Sequence, residues 1–202
     1  FAVFVISQPG SYYLTGNVNV PANKVGIRVG ESDVTVDLNG FRLSGGGSVG
    51  SSGITDSDVF ANITIRNGAI ENTGGIGIFL LSKPCRLTDL TVRGNVRTGV
   101  LTASRVRVER VLAVGNSTGG GSGAGGIIVA GESIVSDCVA IGNTGVGIGV
   151  GANVVVIGCV AHLNTGAGIS ADLAAVVCEC LAASNGTQGI TITLLAQRRI
   201  QP

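Results

Sequence analysis

Three groups of side chains in this 202-residue chain have the types and spacing to do chemistry. The first is acidic. Glu31 and Asp33 share one turn, and Asp56 and Asp58 share the corresponding turn of the next repeat. Stacked turns would bring these carboxylates within several ångströms of one another, a separation that suits a glycoside acid/base pair or an oxygen-ligated calcium ion. Solvated turn acids explain the same pattern without any chemistry. The second group is basic: Arg66, Arg86, Arg93, Arg97, Arg105, Arg107 and Arg110, with Arg86 and Arg107 separated by 21 residues. Guanidinium groups in such a row would recognise an acidic polymer, and Glu71, Asp89 and Glu109 nearby would equally complete a salt-bridge ladder. The third group is Cys85, Cys138, Cys159, Cys178 and Cys180. Their number is odd and only Cys178-Glu179-Cys180 has close spacing, so no zinc site is expected. Cys138, Cys159 and Cys180 would stack with α-carbons about 5 Å apart, inside the disulfide range, or serve as small buried hydrophobes. The single histidine, His162, sits in Ala161-His162-Leu163 and reads as structural.

The elements that must position these groups follow from a repeat of about 21 residues. Gly-Asn-Thr-Gly-Val-Gly-Ile at 142–148 returns as Leu-Asn-Thr-Gly-Ala-Gly-Ile at 163–169 and as Ser-Asn-Gly-Thr-Gln-Gly-Ile at 184–190. The glycine that opens each Gly-Ile or Gly-Val gives the anchors Gly26, Gly53, Gly77, Gly99, Gly126, Gly147, Gly168 and Gly189. Repeats of this length, with β-branched strands and glycine turns, specify coils of a parallel β-solenoid. The surplus residues fall in the Gly/Ser runs Ser44 to Ser52 and Ser117 to Gly125, both just before the first strand of a coil. Each coil reads as three short strands. Period-2 alternation turns Ile63 and Ile65 inward, with Cys85 and Leu87, Val106 and Val108, Val154 and Val156, and Ala175 and Val177 stacked above them. Leu90, Val111, Cys138, Cys159 and Cys180 form a second inward column. Asn95, Asn116, Asn143, Asn164 and Asn185 form a ladder at a corner, where asparagine tolerates left-handed backbone and hydrogen-bonds from coil to coil.

Composition bounds the partners. The formal net charge is +1 and only 12% of residues are charged, so no global field steers nucleic acid or an anionic membrane. Glycine is 34 of 202 residues, but 45% hydrophobic content in strict period argues for a packed core rather than a disordered chain. No apolar run is long enough to span a membrane as a helix, and no basic-then-apolar signal segment is visible in the sequence. The chain has no methionine, which reads as a processed or internal part of a longer product. Only Thr191-Ile192-Thr193 matches a Thr-x-Thr array, so ice binding is not expected. Asn62-Ile-Thr, Asn116-Ser-Thr and Asn185-Gly-Thr match glycosylation sequons, but such turns arise freely in this repeat.

The opening Ile6-Ser-Gln-Pro-Gly-Ser-Tyr-Tyr-Leu-Thr-Gly-Asn17, followed by Val34-Thr-Val-Asp-Leu-Asn-Gly40, resembles bacterial right-handed parallel β-helix repeat proteins of the pectate-lyase-like superfamily. The resemblance implies an all-β, right-handed parallel β-helix, usually extracytoplasmic. Its members include polysaccharide lyases, hydrolases, epimerases, phage tailspikes and noncatalytic surface proteins, among which a fold cannot choose. In such enzymes the substrate groove commonly crosses the first strand of each coil, and those that cleave uronates use an Arg or Lys base beside calcium or another cation. The hydrolase pattern of the family is missing here: the chain has no Gly-His-Gly and no Arg-Ile-Lys.

These readings give one continuous domain, with a capping segment at 1–25 and about seven or eight coils over 26–202. Its C-terminal end near Arg198 to Pro202 is expected to be exposed or partnered. Phe79, Leu101 and Ile128 make an outward apolar stripe on the first strand, and Ile134, Val155 and Val176 make another on the second; both are expected to be subunit interfaces. The expected function is a noncatalytic, extracytoplasmic surface-assembly protein that contacts glycan. The alternative is a polysaccharide lyase, epimerase or hydrolase. For that alternative, Asp56, Asp58 and Arg107 are the catalytic candidates and Glu31, Asp33, Arg86 and Arg107 the ligand contacts. No cofactor is expected beyond calcium in the enzyme case.

Overall fold

A computed structural model describes residues 1–47, 50–57, 60–119 and 124–193. Asp58, parts of both Gly/Ser loops and the stretch from Arg198 to Pro202 lie outside the described residues. The described chain winds as a parallel β-helix of about eight turns with about 22 residues per turn. No helix among the described residues is long and apolar enough to cross a membrane.

The first face is a nine-stranded parallel sheet that begins with Ala2–Ile6 and Val25–Val29, continues through Ser52–Thr55, Ile78–Leu80, Val100–Thr102, Gly125–Val129, Val146–Val150 and Ile169–Ala171, and ends with Ile190–Ile192. The outward row has the expected register: Val5, Arg28, Thr55, Phe79, Leu101, Ile128, Gly149, Ser170 and Thr191 are successive partners. Ala2–Ile6, Gly10–Tyr13 and Val18–Asn19 each pair in parallel with the coil above, so the N-terminal segment itself builds a rung.

The second and third faces are continuous where Ile63–Glu71, Cys85–Arg93 and Val106–Val114 run across the corner between them. Later coils split there, as in Ile134–Ser136 and Val139–Ile141. The corner is turned by one left-handed residue per coil: Asn67, Asp89, Arg110, Asp137, Gly158 and Glu179, with φ between 51° and 64°. One such residue permits a change of direction without losing strand pairing on either side, as in a β-bulge.

Inside, Ile65, Leu87, Val108, Val135 and Val156 stack at 0% exposure, as do Ile54, Ile78, Val100, Ile127, Ile148 and Ile169 on the first face. Stacking like on like at the rung spacing lets each methyl group meet its neighbours at van der Waals distance, which accounts for most of the stability. One column departs from expectation. Ser133 takes the position between Val106 and Val154, and its hydroxyl accepts the Val106 amide at 3.0 Å while donating to Gly131 O.

The asparagine ladder is the polar counterpart of these stacks. Asn95, Asn116 and Asn143 are fully buried and Asn164 is 1% exposed. The backbone amide and Nδ2 of each donate to Oδ1 of the next, at 2.8 to 3.2 Å from Asn95 to Asn185. Nδ2 also donates to a carbonyl of the third face, as from Asn143 to Ala113 O at 3.1 Å. Thr73 terminates the ladder at the N-terminal side, with its amide and Oγ1 on Asn95 Oδ1. The left-handed residue is not the asparagine but the one before it: Gly94, Gly115, Gly142, Leu163 and Ser184. The sequence expectation therefore shifts by one residue, because the asparagine needs ordinary backbone to aim its amide along the solenoid axis.

The ladder also explains the anchor glycines. A Cβ at Gly147 would lie 2.5 Å from Asn164 Nδ2 and 2.6 Å from Gly168 O; at Gly168 it would lie 2.4 Å from Asn185 Nδ2. Only a hydrogen leaves room for the amide stack of the next coil.

Candidate functional site

On the outside of the second face, in-register pairing puts Ser11, Thr35, Thr64, Arg86, Arg107, Ile134, Val155 and Val176 in one row. The row is polar, then basic, then apolar. At its centre lies a groove of about 440 Å³. Its strand-side wall is Thr64, Arg86, Arg107 and Ile134, and its corner-side wall is Asn62, Pro84, Arg105 and Glu132. Three of the corner residues, Asn62, Arg105 and Glu132, have φ of 55° to 59°, which turns their side chains to the rim. Cys85, Val106 and Ser133 underlie the groove. Burial, and next the charge of Asp56, push the Cys85 thiol up to about 12, so it stays protonated, and it donates to Ser82 O at 2.8 Å.

The arginines divide into two classes. Arg66 pairs with Asp37 at 2.9 Å, Arg93 and Arg42 both meet the buried Glu71 at 2.6 and 3.4 Å, and Arg105 meets Glu132 at 2.9 Å. Arg110 meets Asp89 at 2.7 Å and also pairs with Glu109. Burial alone would raise the Asp37 carboxyl, but the Asn39 amide, Asn67 and Arg66 outweigh it and hold it below the usual aspartate range. Asp89 is lowered by its hydrogen bond from Arg110 and then by Thr88. The expected salt-bridge ladder therefore exists. Among the described residues, however, it omits Arg97, in the turn before Val100–Thr102, and it omits Arg86 and Arg107, which are exposed, adjacent in register on the second face and without an ion-paired carboxylate. Like charges directly opposite one another on neighbouring strands are destabilising. An anion laid across both would remove that repulsion and gain charge-assisted hydrogen bonds.

The acidic turns are arranged differently. Asp56 is 8% exposed, and its two oxygens accept the Leu81 and Ser82 amides at 2.7 and 2.8 Å, closing the turn of the next coil. Glu31 accepts the Ser32 amide at 2.9 Å, and Asp33 accepts Asn62 Nδ2 at 2.8 Å. Glu31, Asp33 and Asp56 thus have separate local partners, and no group of three or more metal-ligating side chains converges among the described residues. His162 Nδ1 lies 2.9 Å from Ala183 O in the third face.

Of the apolar outward residues, Phe79, Leu101, Ile128 and Ile134 are half-buried by their neighbours, whereas Val155 and Val176 are 36% and 53% exposed. A second outward apolar row lies on the third face: Leu112, Val139, Val160 and Leu181, with Leu112 37% and Leu181 60% exposed. Sequence reading passed over this row, although it follows from the alternation that turns Cys138 and Ala140 inward. It also passed over Asn62, Arg105 and Glu132 as groove walls, since left-handed corner residues carry no hydrophobic period.

No family model matches the chain, and no curated protein matches it by sequence. Solved structures do match. The A-module of mannuronan C-5 epimerase AlgE6 from Azotobacter vinelandii aligns over 92% of this chain and 66% of its own, with TM-score 0.70 and 14% identity. The AlgE4 A-module from the same organism aligns over 92% and 67%, with TM-score 0.64 and 14% identity. Pectate lyase Pel9A aligns over 92% and 58%, with TM-score 0.54 and 15% identity. The chain thus spans about two thirds of each epimerase module and less of the lyase. At these identities the likeness concerns the fold alone, and that fold is a parallel β-helix.

Proposed function

We propose that this chain is a noncatalytic, extracytoplasmic β-helix that contacts acidic polysaccharide through the Arg86–Arg107 groove and assembles through its apolar outer faces. The observation that carries the reading is the pair of neighbouring guanidinium groups with no carboxylate partner among the described residues, where the other second-face arginines are ion-paired. A polymer with a carboxylate on every sugar meets two stacked arginines with repeated charges, whereas a neutral glycan leaves their repulsion in place. Asn62, Thr64 and the Arg105–Glu132 pair supply hydroxyl-directed donors and acceptors on both walls. The assembly half of the reading rests on Val155, Val176, Leu112 and Leu181, large apolar side chains exposed on adjoining faces.

The names of the structural neighbours, a mannuronan epimerase and a pectate lyase, favour a second reading in which the same groove turns over a uronate polymer. Arg107 then serves as base and Arg86 as carboxylate contact, with calcium as a candidate for neutralising charge. Incubation with neutral and acidic polysaccharides, with and without calcium, decides between them when unsaturated products and new reducing ends are followed and epimerisation is read by NMR. Binding to acidic polymers without turnover is the expected result. Turnover that is lost in Arg107→Ala establishes the enzyme reading, and absence of binding to every acidic polymer removes both.

A further inference from the structure

The inward cysteine column lies away from the groove. Cys138, Cys159 and Cys180 occupy one register position on three successive coils, as the pairing of the residues that follow them shows. Their side chains have one conformation. Each sulfur lies close to the carbonyl two residues before it: Ser136 O at 3.2 Å, Ile157 O at 3.3 Å and Cys178 O at 3.1 Å. Cys159 and Cys180 also accept the amide of the cysteine one coil earlier, so that Cys159 Sγ is 3.4 Å from Cys138 N and Cys180 Sγ is 3.4 Å from Cys159 N. Identical conformers on stacked strands repeat at the rung spacing of about 4.8 Å, which falls inside the α-carbon range of a disulfide. Rotation of a side chain, with an approach of a few tenths of an ångström between the two Cβ atoms, brings two sulfurs together.

Accessibility makes the three thiols unequal. Cys138 and Cys159 are fully buried, while Cys180 is partly exposed. We infer that Cys159 and Cys180 form an oxidisable pair, in which Cys180 meets the oxidant and Cys159 resolves it to a disulfide that staples two successive coils. With oxidised glutathione as a disulfide-class oxidant, the Cys180 thiolate attacks one glutathione sulfur and releases one glutathione thiol. The Cys159 thiolate then attacks Cys180 Sγ of the mixed disulfide and releases the second. The protein loses two protons and two electrons, glutathione disulfide is reduced to two thiols, and Cys138 stays free because the column is odd in number. Cys180 is raised above the ordinary thiol range by burial, and Cys159 is raised first by its hydrogen bond with Cys138 and then by burial. Oxidation therefore accelerates as the pH is made alkaline.

Cys178 is the competing resolver. It flanks the left-handed Glu179 with Cys180, and both sulfurs lie within 3.9 Å of Val156 O. The chain's own cleavage sites separate the two cases. A protease specific for aspartate and glutamate releases 138–172, which holds Cys138 and Cys159; 173–179, which holds Cys178; and a C-terminal peptide that begins at Cys180. After the full chain is oxidised with glutathione disulfide and digested without reductant, the Cys180 peptide should be linked to 138–172. The link should persist in Cys138→Ser and Cys178→Ser, and in Cys159→Ala it should give way to a stable glutathione adduct on Cys180. Linkage to 173–179, a lasting adduct on Cys180 in the unmutated chain, or links only between chains would overturn the proposal. Far-ultraviolet circular dichroism of each variant before oxidation verifies that the coil stack is intact.

Discussion

Removing one rung of the buried amide ladder should cost more than removing any surface contact, and Asn143→Ala is the sharpest case. Its side chain makes four hydrogen bonds: Oδ1 accepts the Asn116 amide at 2.9 Å and Asn116 Nδ2 at 3.0 Å, and Nδ2 donates to Ala113 O at 3.1 Å and Asn164 Oδ1 at 2.9 Å. At about 1 kcal/mol net for each bond, the loss is about 4 kcal/mol. The Asn116 amide is left buried without this acceptor, so the true cost lies on the high side of that figure. A loss of this size is a large part of the stability of an ordinary domain. Asn185→Ala is the internal comparison. It removes three bonds, from Asn164 N, from Asn164 Nδ2 and to Ala161 O, at a half-buried position, and should cost about 2 kcal/mol. Urea unfolding followed by circular dichroism gives both numbers. Amide exchange shows whether the loss stays in neighbouring coils, as nearest-neighbour coupling in a solenoid requires. A cost below about 1 kcal/mol for Asn143→Ala, or equal costs at the two sites, would refute the view that the ladder stabilises through fully satisfied buried amides.

Thr102 offers a change of the opposite sign. Its hydroxyl is buried in the first-face core without a hydrogen-bond partner among the described residues, so Thr102→Val should raise stability by about 1 kcal/mol, read as a higher urea midpoint at unchanged slope. Acid should weaken the fold through Asp37 and Asp89, whose carboxyls are held below the usual aspartate value by the contacts described above. A lowered folded value means that the stabilisation is fully present above the unfolded value, near pH 4, and is lost as the pH falls through the folded ones. Urea midpoints should therefore be flat from pH 7 to about 5 and drop below about 4, with a smaller drop in Asp37→Asn.

Much of the fold was legible because a solenoid repeats its constraints. The outward row from Arg28 to Thr191, the inward columns and the asparagine ladder all follow from period-2 alternation and a fixed coil length, and pairing has the same register. Local chemistry at the corners was less legible. Asp56 resembles a catalytic acid in sequence because its type is right, yet its oxygens are held by backbone amides of the following coil, a contact that depends on three-dimensional turn geometry. Arg86 and Arg107 were visible as a stacked pair. Their lack of partners was not, since Glu71, Asp89 and Glu109 lie near in register but point to Arg42, Arg93 and Arg110 instead. Which acid chooses which base is decided by the left-handed corner at Asp89 and Arg110, a conformation that sequence type alone does not specify.

The most direct test of the groove is a titration of the full chain with polygalacturonate and, in parallel, with a neutral polymer of similar length, at two salt concentrations. The acidic polymer should bind and weaken as salt screens the guanidinium groups, the neutral polymer should not bind, and Arg86→Ala with Arg107→Ala should lower affinity at least about tenfold, or about 1.4 kcal/mol. Equal binding of both polymers, or unchanged affinity in the double variant with its coil stack intact, would contradict the assignment of this groove to acidic polysaccharide.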